Sequence, residues 1–337
     1  MHKVFAVILS YNRKELLKRG LAAVCSQTRP CDAVIVVDNA SSDGTAEMLR
    51  EMGYPDLKVY SLSRNIGASG GFNVGFRLAY QAGADFIWMM DDDVVPEPDA
   101  LQKLLEADEQ LNIMGLDKSY LISQATTENG QINDPPNLDL RYNEIGYPSW
   151  PETLVHGMVP VRLANFVSIL IPRKTLSNYG VPISSMFIWG EDTEYTMRIT
   201  RDKPGYLVAT SKVLHLREKS GPISIVTEEN RSRIQYHRHF IRNRVFITRK
   251  FSNKYRLLVC IYKDIRLVLL LLRKKQFNKV GVVLKGLCES PFFYPEAEFA
   301  DEPIETTKVS ISQLYDSSCD GEKVVARENV CIREVVA

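Results

Sequence analysis

Three short apolar runs, each ending abruptly in polar residues, constrain this chain more than any other feature. Residues 4–9 give way to Ser10-Tyr11-Asn12, residues 33–37 to Asp38-Asn39-Ala40-Ser41-Ser42-Asp43-Gly44, and residues 86–90 to Asp91-Asp92-Asp93. Continuous runs rich in Val and Ile read as strands buried on both faces. Residues 13–26 carry apolar positions at helical spacing, residues 58–62 read as another strand and residues 75–82 as another helix. This alternation predicts an α/β, Rossmann-like fold with a mostly parallel central sheet flanked by helices. Such sheets bind ligands beyond the carboxyl ends of their strands, so the three polar clusters are expected to face one crevice.

The 337 residues, 45% hydrophobic and 25% charged, suit a globular chain of about two domains. The net charge of +1 hides a strong asymmetry: residues 1–230 carry −7, residues 231–285 carry +15 and residues 289–337 carry −7. This excludes a protein that is basic throughout and coats nucleic acid, but leaves the middle segment in need of a partner. Six cysteines, Cys25, Cys31, Cys260, Cys288, Cys319 and Cys331, show no metal-ligand spacing and no disulfide framework, which predicts a reducing cytoplasm. The first apolar run is too short for a signal peptide, and residues 257–272 are interrupted by Lys263, Asp264 and Arg266, so no spanning helix is expected.

The expected organisation is a catalytic domain over 1–225, a basic, aromatic-rich and mainly helical extension over 226–290, and an acidic tail over 291–337. Turn formers crowd residues 112–160, which read as long loops or a short hairpin rather than core. Residues 231–256 hold nine Lys/Arg, two His and no acid, interleaved with Tyr236, Phe240, Phe246, Phe251 and Tyr255. With no acid nearby, these cations are expected to meet the acidic tail or an anionic surface.

The aspartate run supplies hard oxygen ligands at a strand end, which suits Mg²⁺ or Mn²⁺ and hence a diphosphate, although a solvated acidic turn accounts for it equally well in isolation. Taken with Ser10-Tyr11-Asn12-Arg13, Val37-Asp38-Asn39-Ala40-Ser41, Asp43-Gly44-Thr45 and the Asn65-Ile66-Gly67 loop, the order and spacing resemble the inverting family-2 glycosyltransferases with the GT-A fold, over about residues 3–220. The resemblance implies that Asp38 binds the nucleotide base, with Ser10 and Asn12 in the same pocket, Asn65 and Gly67 closing over the nucleotide and Arg64 near phosphate. It implies that Asp91 and Asp93 hold the Mn²⁺ or Mg²⁺ and the ribose-diphosphate.

An inverting transferase needs a carboxylate to deprotonate the attacking hydroxyl. In Trp189-Gly190-Glu191-Asp192-Thr193-Glu194 the resemblance gives that role to Asp192, with Trp189 and Glu191 as a donor or acceptor wall; a helix start favouring acids is the alternative reading. His215, at the end of a strand-like segment, matches the histidine that completes metal coordination in galactofuranosyltransferase-type members, and Lys219, Ser220 and Gly221 are expected to form a mobile loop near the diphosphate. The Gly-Ala-Ser-Gly-Gly-Phe element narrows the resemblance to galactofuranosyl- and rhamnosyltransferases of bacterial cell-surface glycan assembly. The expected reaction moves galactofuranose from UDP-galactofuranose to a hydroxyl of a lipid-linked or growing glycan, with dTDP-rhamnose as the alternative donor. A non-catalytic nucleotide-sugar-binding scaffold is the rival from another class, and a nucleic-acid-binding protein leaves the acidic clusters unexplained. The expected location is the cytoplasm, peripherally on an anionic inner membrane face, with homo-oligomer formation left open.

Overall fold

A computed structural model of the chain describes residues 2–216 and 223–316. The loop expected at Lys219, Ser220 and Gly221 lies outside the described residues, as do Cys319 and Cys331. In chain order the first part runs β1 (Val4–Ser10), α1 (Lys14–Cys25), β2 (Ala33–Asp38), α2 (Thr45–Glu51), β3 (Leu57–Leu62), α3 (Gly67–Gln81), β4 (Phe86–Asp91), β5 (Val94–Pro96) and α4 (Ala100–Ile113). It continues with β6 (Leu121–Thr126), β7 (Asn137–Leu138), β8 (Met158–Leu163), β9 (Ser168–Pro172), α5 (Arg173–Tyr179), α6 (Glu191–Ile199) and β10 (Gly205–His215). Three helices, α7 (Arg231–Phe251), α8 (Lys254–Arg273) and α9 (Phe277–Glu289), precede β11 (Ile311–Asp316).

The strands form one sheet in the order β11-β3-β2-β1-β4-β9-β6-β10-β8-β7, with β5 paired to β10. The segment β3-β2-β1-β4 is parallel as expected, while β9 joins β4 antiparallel and makes the whole sheet mixed. Within the parallel segment Ser10 is in register with Asp38, and Leu9 with Asp91, so the three polar clusters emerge level at one edge. Side chains alternate faces along a strand, and β1 shows why its run does not alternate in polarity. Val4, Ala6 and Ile8 enter a core layer with Leu17 and Leu21 of α1 and Leu104 of α4, whereas Phe5, Val7 and Leu9 enter another with Phe72 and Phe76 of α3.

Three expectations are corrected. The helix expected over residues 75–82 begins about two turns earlier, so that the glycine-rich element after Asn65 forms the first turns of α3, which starts at Gly67. Glycine is a poor helix former, so its frequency argued for a loop; packing overrides the propensity. A Cβ at Gly71 would lie 2.2 Å from Leu9 Cδ1, so only glycine lets α3 approach β1 this closely. Next, residues 121–126, inside the stretch read as loops, form a strand whose first residues Leu121 and Ile122 are buried between the partners β9 and β10.

The third correction concerns the charged C-terminal part. Up to Asp316 the acidic segment is no free tail: Glu298 accepts hydrogen bonds from Asn73 Nδ2 (2.8 Å), Ser184 N (2.8 Å) and Ser184 Oγ (2.7 Å), and β11 adds antiparallel to β3. Several cations of α7 find partners within the fold. Lys250 pairs with Glu194 at 2.8 Å, Arg244 with Asp264, and Arg242 and Arg249 donate to the carbonyls of Ser185 and Ser290. These acids and carbonyls lie 41 to 57 residues away in sequence, or on the neighbouring α8, where a local count does not reach.

Candidate active site

The site is assembled at the carboxyl edge of β1, β2 and β4. Ser10 Oγ donates to Asp92 Oδ2 at 2.8 Å, and Arg13 Nη1 reaches Asp93 Oδ2 at 2.8 Å and Asp92 Oδ1 at 3.3 Å. Ser10 is buried, so its hydroxyl fixes the aspartate cluster instead of opening to solvent. Asn12 lies in the left-handed region and its Oδ1 accepts from Ser42 N at 2.7 Å, tying the loop after β1 to the loop after β2. Asp38, buried at the end of β2, accepts from Ser41 N (3.0 Å) and Ser61 Oγ (3.1 Å).

Asn39 connects this edge to the α3 start. Its Nδ2 donates to the Gly67 carbonyl (3.0 Å) and its Oδ1 accepts from Ile66 N (3.0 Å), while Asn65 Oδ1 caps Gly67 N at 2.7 Å. Gly67 has φ +78, and a Cβ there would stand 2.1 Å from the Phe187 carbonyl oxygen, so the turn after Asn65 abuts the segment leading to Trp189. Arg64 does not join the group; it is exposed and donates to the Lys308 carbonyl at 3.1 Å.

β5 explains how His215 arrives. The chain turns back after Asp93 and pairs with β10 so that Val94 is in register with His215, and Leu216 N donates to the Asp93 carbonyl at 2.8 Å. His215 Nε2 then stands 3.2 Å from Asp93 Oδ1, bent out of line, so the contact is a charge pair and Oδ1, buried, has no hydrogen-bond donor among the described residues. On the other side of the ring Nδ1 donates to Asp134 Oδ2 at 2.9 Å. Burial alone would lower the His215 pKa, but the Asp134 and Asp93 carboxylates raise it to about 9. Burial raises Asp93, yet His215 and Arg13 outweigh it and hold this carboxyl below the usual range.

Two ligands each about 2.1 Å from an octahedral ion and at right angles lie ~3 Å apart, so the open Asp93 Oδ1 and His215 Nε2 fit adjacent positions on Mn²⁺ or Mg²⁺. A carboxylate on the far nitrogen is the usual way a metal-binding histidine is oriented. Asp91 does not complete a three-ligand group with them: no set of three His, Cys, Asp or Glu side chains suited to a metal occurs among the described residues. Burial, then the neighbouring Asp93 charge, pushes Asp91 well above the ordinary carboxylate range, while Asp92 is raised to about 6, mainly by burial.

Asp192 opens α6 behind Gly190, whose φ of +104 turns the chain sharply into the helix. Its Oδ1 accepts from Thr193 N at 2.6 Å, and burial with a nearby Asp134 charge raises its pKa. Glu191 Oε2 is buried without a hydrogen-bond partner among the described residues, and burial with the Asp192 and Asp91 charges pushes it well above its usual value. Glu194 is excluded as a base, because it is fully buried and paired with Arg198 (2.9 Å) and Lys250 (2.8 Å). Trp189, with φ +62, packs against His237 (centroids 4.8 Å apart), Tyr236 and Phe240 of α7, with the Arg233 guanidinium 5.5 Å from its ring.

The geometry also brings Arg13, Asp92 and Asp134 to this edge. Arg13 and Asp92 adjoin expected positions, whereas Asp134 lies in the turn-forming run Asp134-Pro135-Pro136, which carries no local sign of a contact with His215.

A parallel strand core carrying an aspartate cluster at its carboxyl edge, closed by a further β/α unit with an acidic helix start, defines a protein of the GT-A fold. The solved structure of GalNAc-T7 with UDP, GalNAc and Mn²⁺ superposes with a TM-score of 0.55 over 76% of this chain and 49% of that one at 14% identity, a likeness of fold alone. Residues 5–167 match the family model of glycosyl transferase family 2. The galactofuranosyltransferase GlfT1 of Mycolicibacterium smegmatis is 28% identical over 221 residues, which cover 63% of this chain and 70% of that protein. GlfT1 of Mycobacterium tuberculosis is 30% identical over 207 residues, 59% of this chain and 64% of that protein, so the match spans somewhat under two thirds of that relative.

Proposed function

We propose that the protein is a metal-dependent, inverting glycosyltransferase that moves galactofuranose from UDP-galactofuranose to a hydroxyl of a lipid-linked or growing glycan. The observation that carries the reading is the open Asp93 Oδ1 beside His215 Nε2, whose ring is held from the other side by Asp134. The similarity to the two GlfT1 proteins supports the donor sugar.

In this reading Asp93 and His215 hold the Mn²⁺ or Mg²⁺, and Asp134 keeps the imidazole oriented. When bound, the ion offsets charge on the leaving diphosphate. Asp38, Asn12 and the Asn65–Gly67 turn bind the nucleoside; Arg13 and Ser10 keep Asp92 and Asp93 in place. Asp192 takes the proton of the acceptor hydroxyl as it attacks the anomeric carbon, and its raised pKa makes it a stronger base than a free aspartate. Trp189 supplies an apolar wall for a sugar ring. A single displacement with one base inverts the anomeric configuration.

A donor panel tests this: UDP-galactofuranose, UDP-galactopyranose, UDP-glucose and dTDP-rhamnose, each with Mn²⁺ and with EDTA, with product configuration read by NMR. Turnover is expected with UDP-galactofuranose and metal only, with inversion. Preference for dTDP-rhamnose would replace the donor, a retained configuration would overturn the mechanism, and donor binding without turnover would favour the scaffold.

A further inference from the structure

Helix α8 carries Tyr255, Leu258, Tyr262, Ile265, Leu269 and Leu272 at alternating steps of three and four, which places all six along one stripe. Each is 41 to 73% exposed, whereas the residues that α8 buries are Cys260, Asp264 and Leu271. An apolar stripe this long on a surface helix marks an interaction face. Lys254, Arg256, Lys263, Arg266 and Arg273 of the same helix and Lys274 and Lys275 just after it are all exposed, with Arg266 and Arg273 adjoining the stripe, and none has an acidic partner among the described residues. The single acid of the helix, Asp264, is buried against Arg244. Arg256, Lys263 and Arg244 also line a groove of about 430 Å³ between α7 and α8.

We infer that α8 docks the protein on an anionic lipid surface, with the stripe at the boundary of headgroups and acyl chains and the cations on lipid phosphates. An apolar face with unpaired cations beside it is the chemistry of a helix lying in the interface plane, and among the described residues no helix is long and apolar enough to cross a membrane. A second copy on the same stripe would set seven cations against seven. Residues 317–337, with four acids against three bases, do not match that charge either. Arg242, Arg249 and Lys250 of α7 do not serve here, because they are committed within the fold. α8 runs back along α7 so that Leu271 packs with Ile241, and its last turns therefore lie toward the half of α7 that carries Tyr236 and His237 against Trp189.

Sedimentation of the full chain with phosphatidylcholine vesicles, with and without about one-third phosphatidylglycerol, tests the assignment. Binding is expected with the anionic vesicles and weakly or not at all with the neutral ones. A Leu258→Ser/Ile265→Ser/Leu269→Ser variant and a Lys263→Glu/Arg266→Glu/Arg273→Glu variant should each lose about tenfold or more in partitioning, with melting temperature and turnover on a soluble acceptor unchanged. Failure of the wild type to bind, or variants that bind as it does, would overturn the inference. So would a dimer that only the serine variant dissociates while vesicle binding persists, or binding that emerges only after removal of residues 317–337. None of these results depends on which nucleotide sugar is the donor.

Discussion

The side-chain amide of Asn243 donates to the carbonyls of Met186 (2.8 Å) and Trp189 (3.0 Å), joining the middle of α7 to the segment that delivers the acidic start of α6. Asn243 is fully buried, so these carbonyls have no water to replace it. The basic helix therefore sets the position of the candidate base, a role invisible in its composition.

Replacing Asn243 with Ala should leave buried carbonyls unsatisfied and cost about 1–3 kcal/mol of stability. Because Gly190 and Asp192 follow directly, turnover should fall by about tenfold or more even where the protein is fully folded. Denaturant unfolding with kcat measured below the transition checks both, and a loss of stability without loss of kcat would limit Asn243 to folding.

Asp192→Asn should keep donor affinity within a few-fold and lose about 10²-fold or more in kcat, the scale of removing a general base. Glu194→Gln should behave differently: it leaves Arg198 and Lys250 without their shared acid, so its main effect is on stability. Calorimetry with UDP alone, alongside single-turnover rates, separates the two outcomes.

Asp93→Ala should abolish metal-dependent donor binding, and His215→Ala should weaken it less, since water can fill the vacated position. Asp134→Asn, two steps from the ion, should lower metal affinity by about 10- to 100-fold through loss of imidazole orientation. Titration with Mn²⁺ followed by paramagnetic resonance reads the affinity directly; an Asp134 variant with wild-type affinity would remove it from the site.

The pH dependence has two separate signs. Asp192 acts only when deprotonated and its pKa is raised, so kcat/KM should rise with pH along an acid limb centred above the ordinary aspartate value near 4. In metal-free protein, His215 is raised from 6.5 to about 9. Its charged form is favoured in the fold, so this stabilisation is complete below about pH 6.5 and is lost as pH rises through 9. Unfolding free energy of the metal-free wild type should fall by on the order of 1–3 kcal/mol across that window, and His215→Ala should flatten the slope.

Gly71→Ala places a methyl group against the Leu9 side chain, and since both residues are buried between α3 and β1 the cost should be about 1–3 kcal/mol. A thermal shift of several degrees is the expected reading. A neutral result would mean that α3 can move away from β1 without penalty.

The strand runs ending at Ser10, Asp38 and Asp91 were legible from residues alone, because a doubly buried strand must be continuously apolar and must stop where the sheet meets water. Their meeting at one edge followed from parallel alternation. The start of α3 was not legible, since its glycines answer to Leu9 and to the Phe187 carbonyl, contacts that no local propensity encodes. Nor was the pairing of His215 with both Asp93 and Asp134, separated from them by 122 and 81 residues, which depends on β5 folding back onto β10. Charge was the most misleading local signal: Arg242, Arg244, Arg249 and Lys250 of α7 looked unpartnered because their acids and carbonyls are remote in sequence, while the exposed cations of α8 stand out only once the packed side of that helix is known. Sequence determines the period and polarity of each element, but Coulomb and packing forces act through space, and so the tertiary structure alone decided which charges are spent within the fold and which remain for a partner.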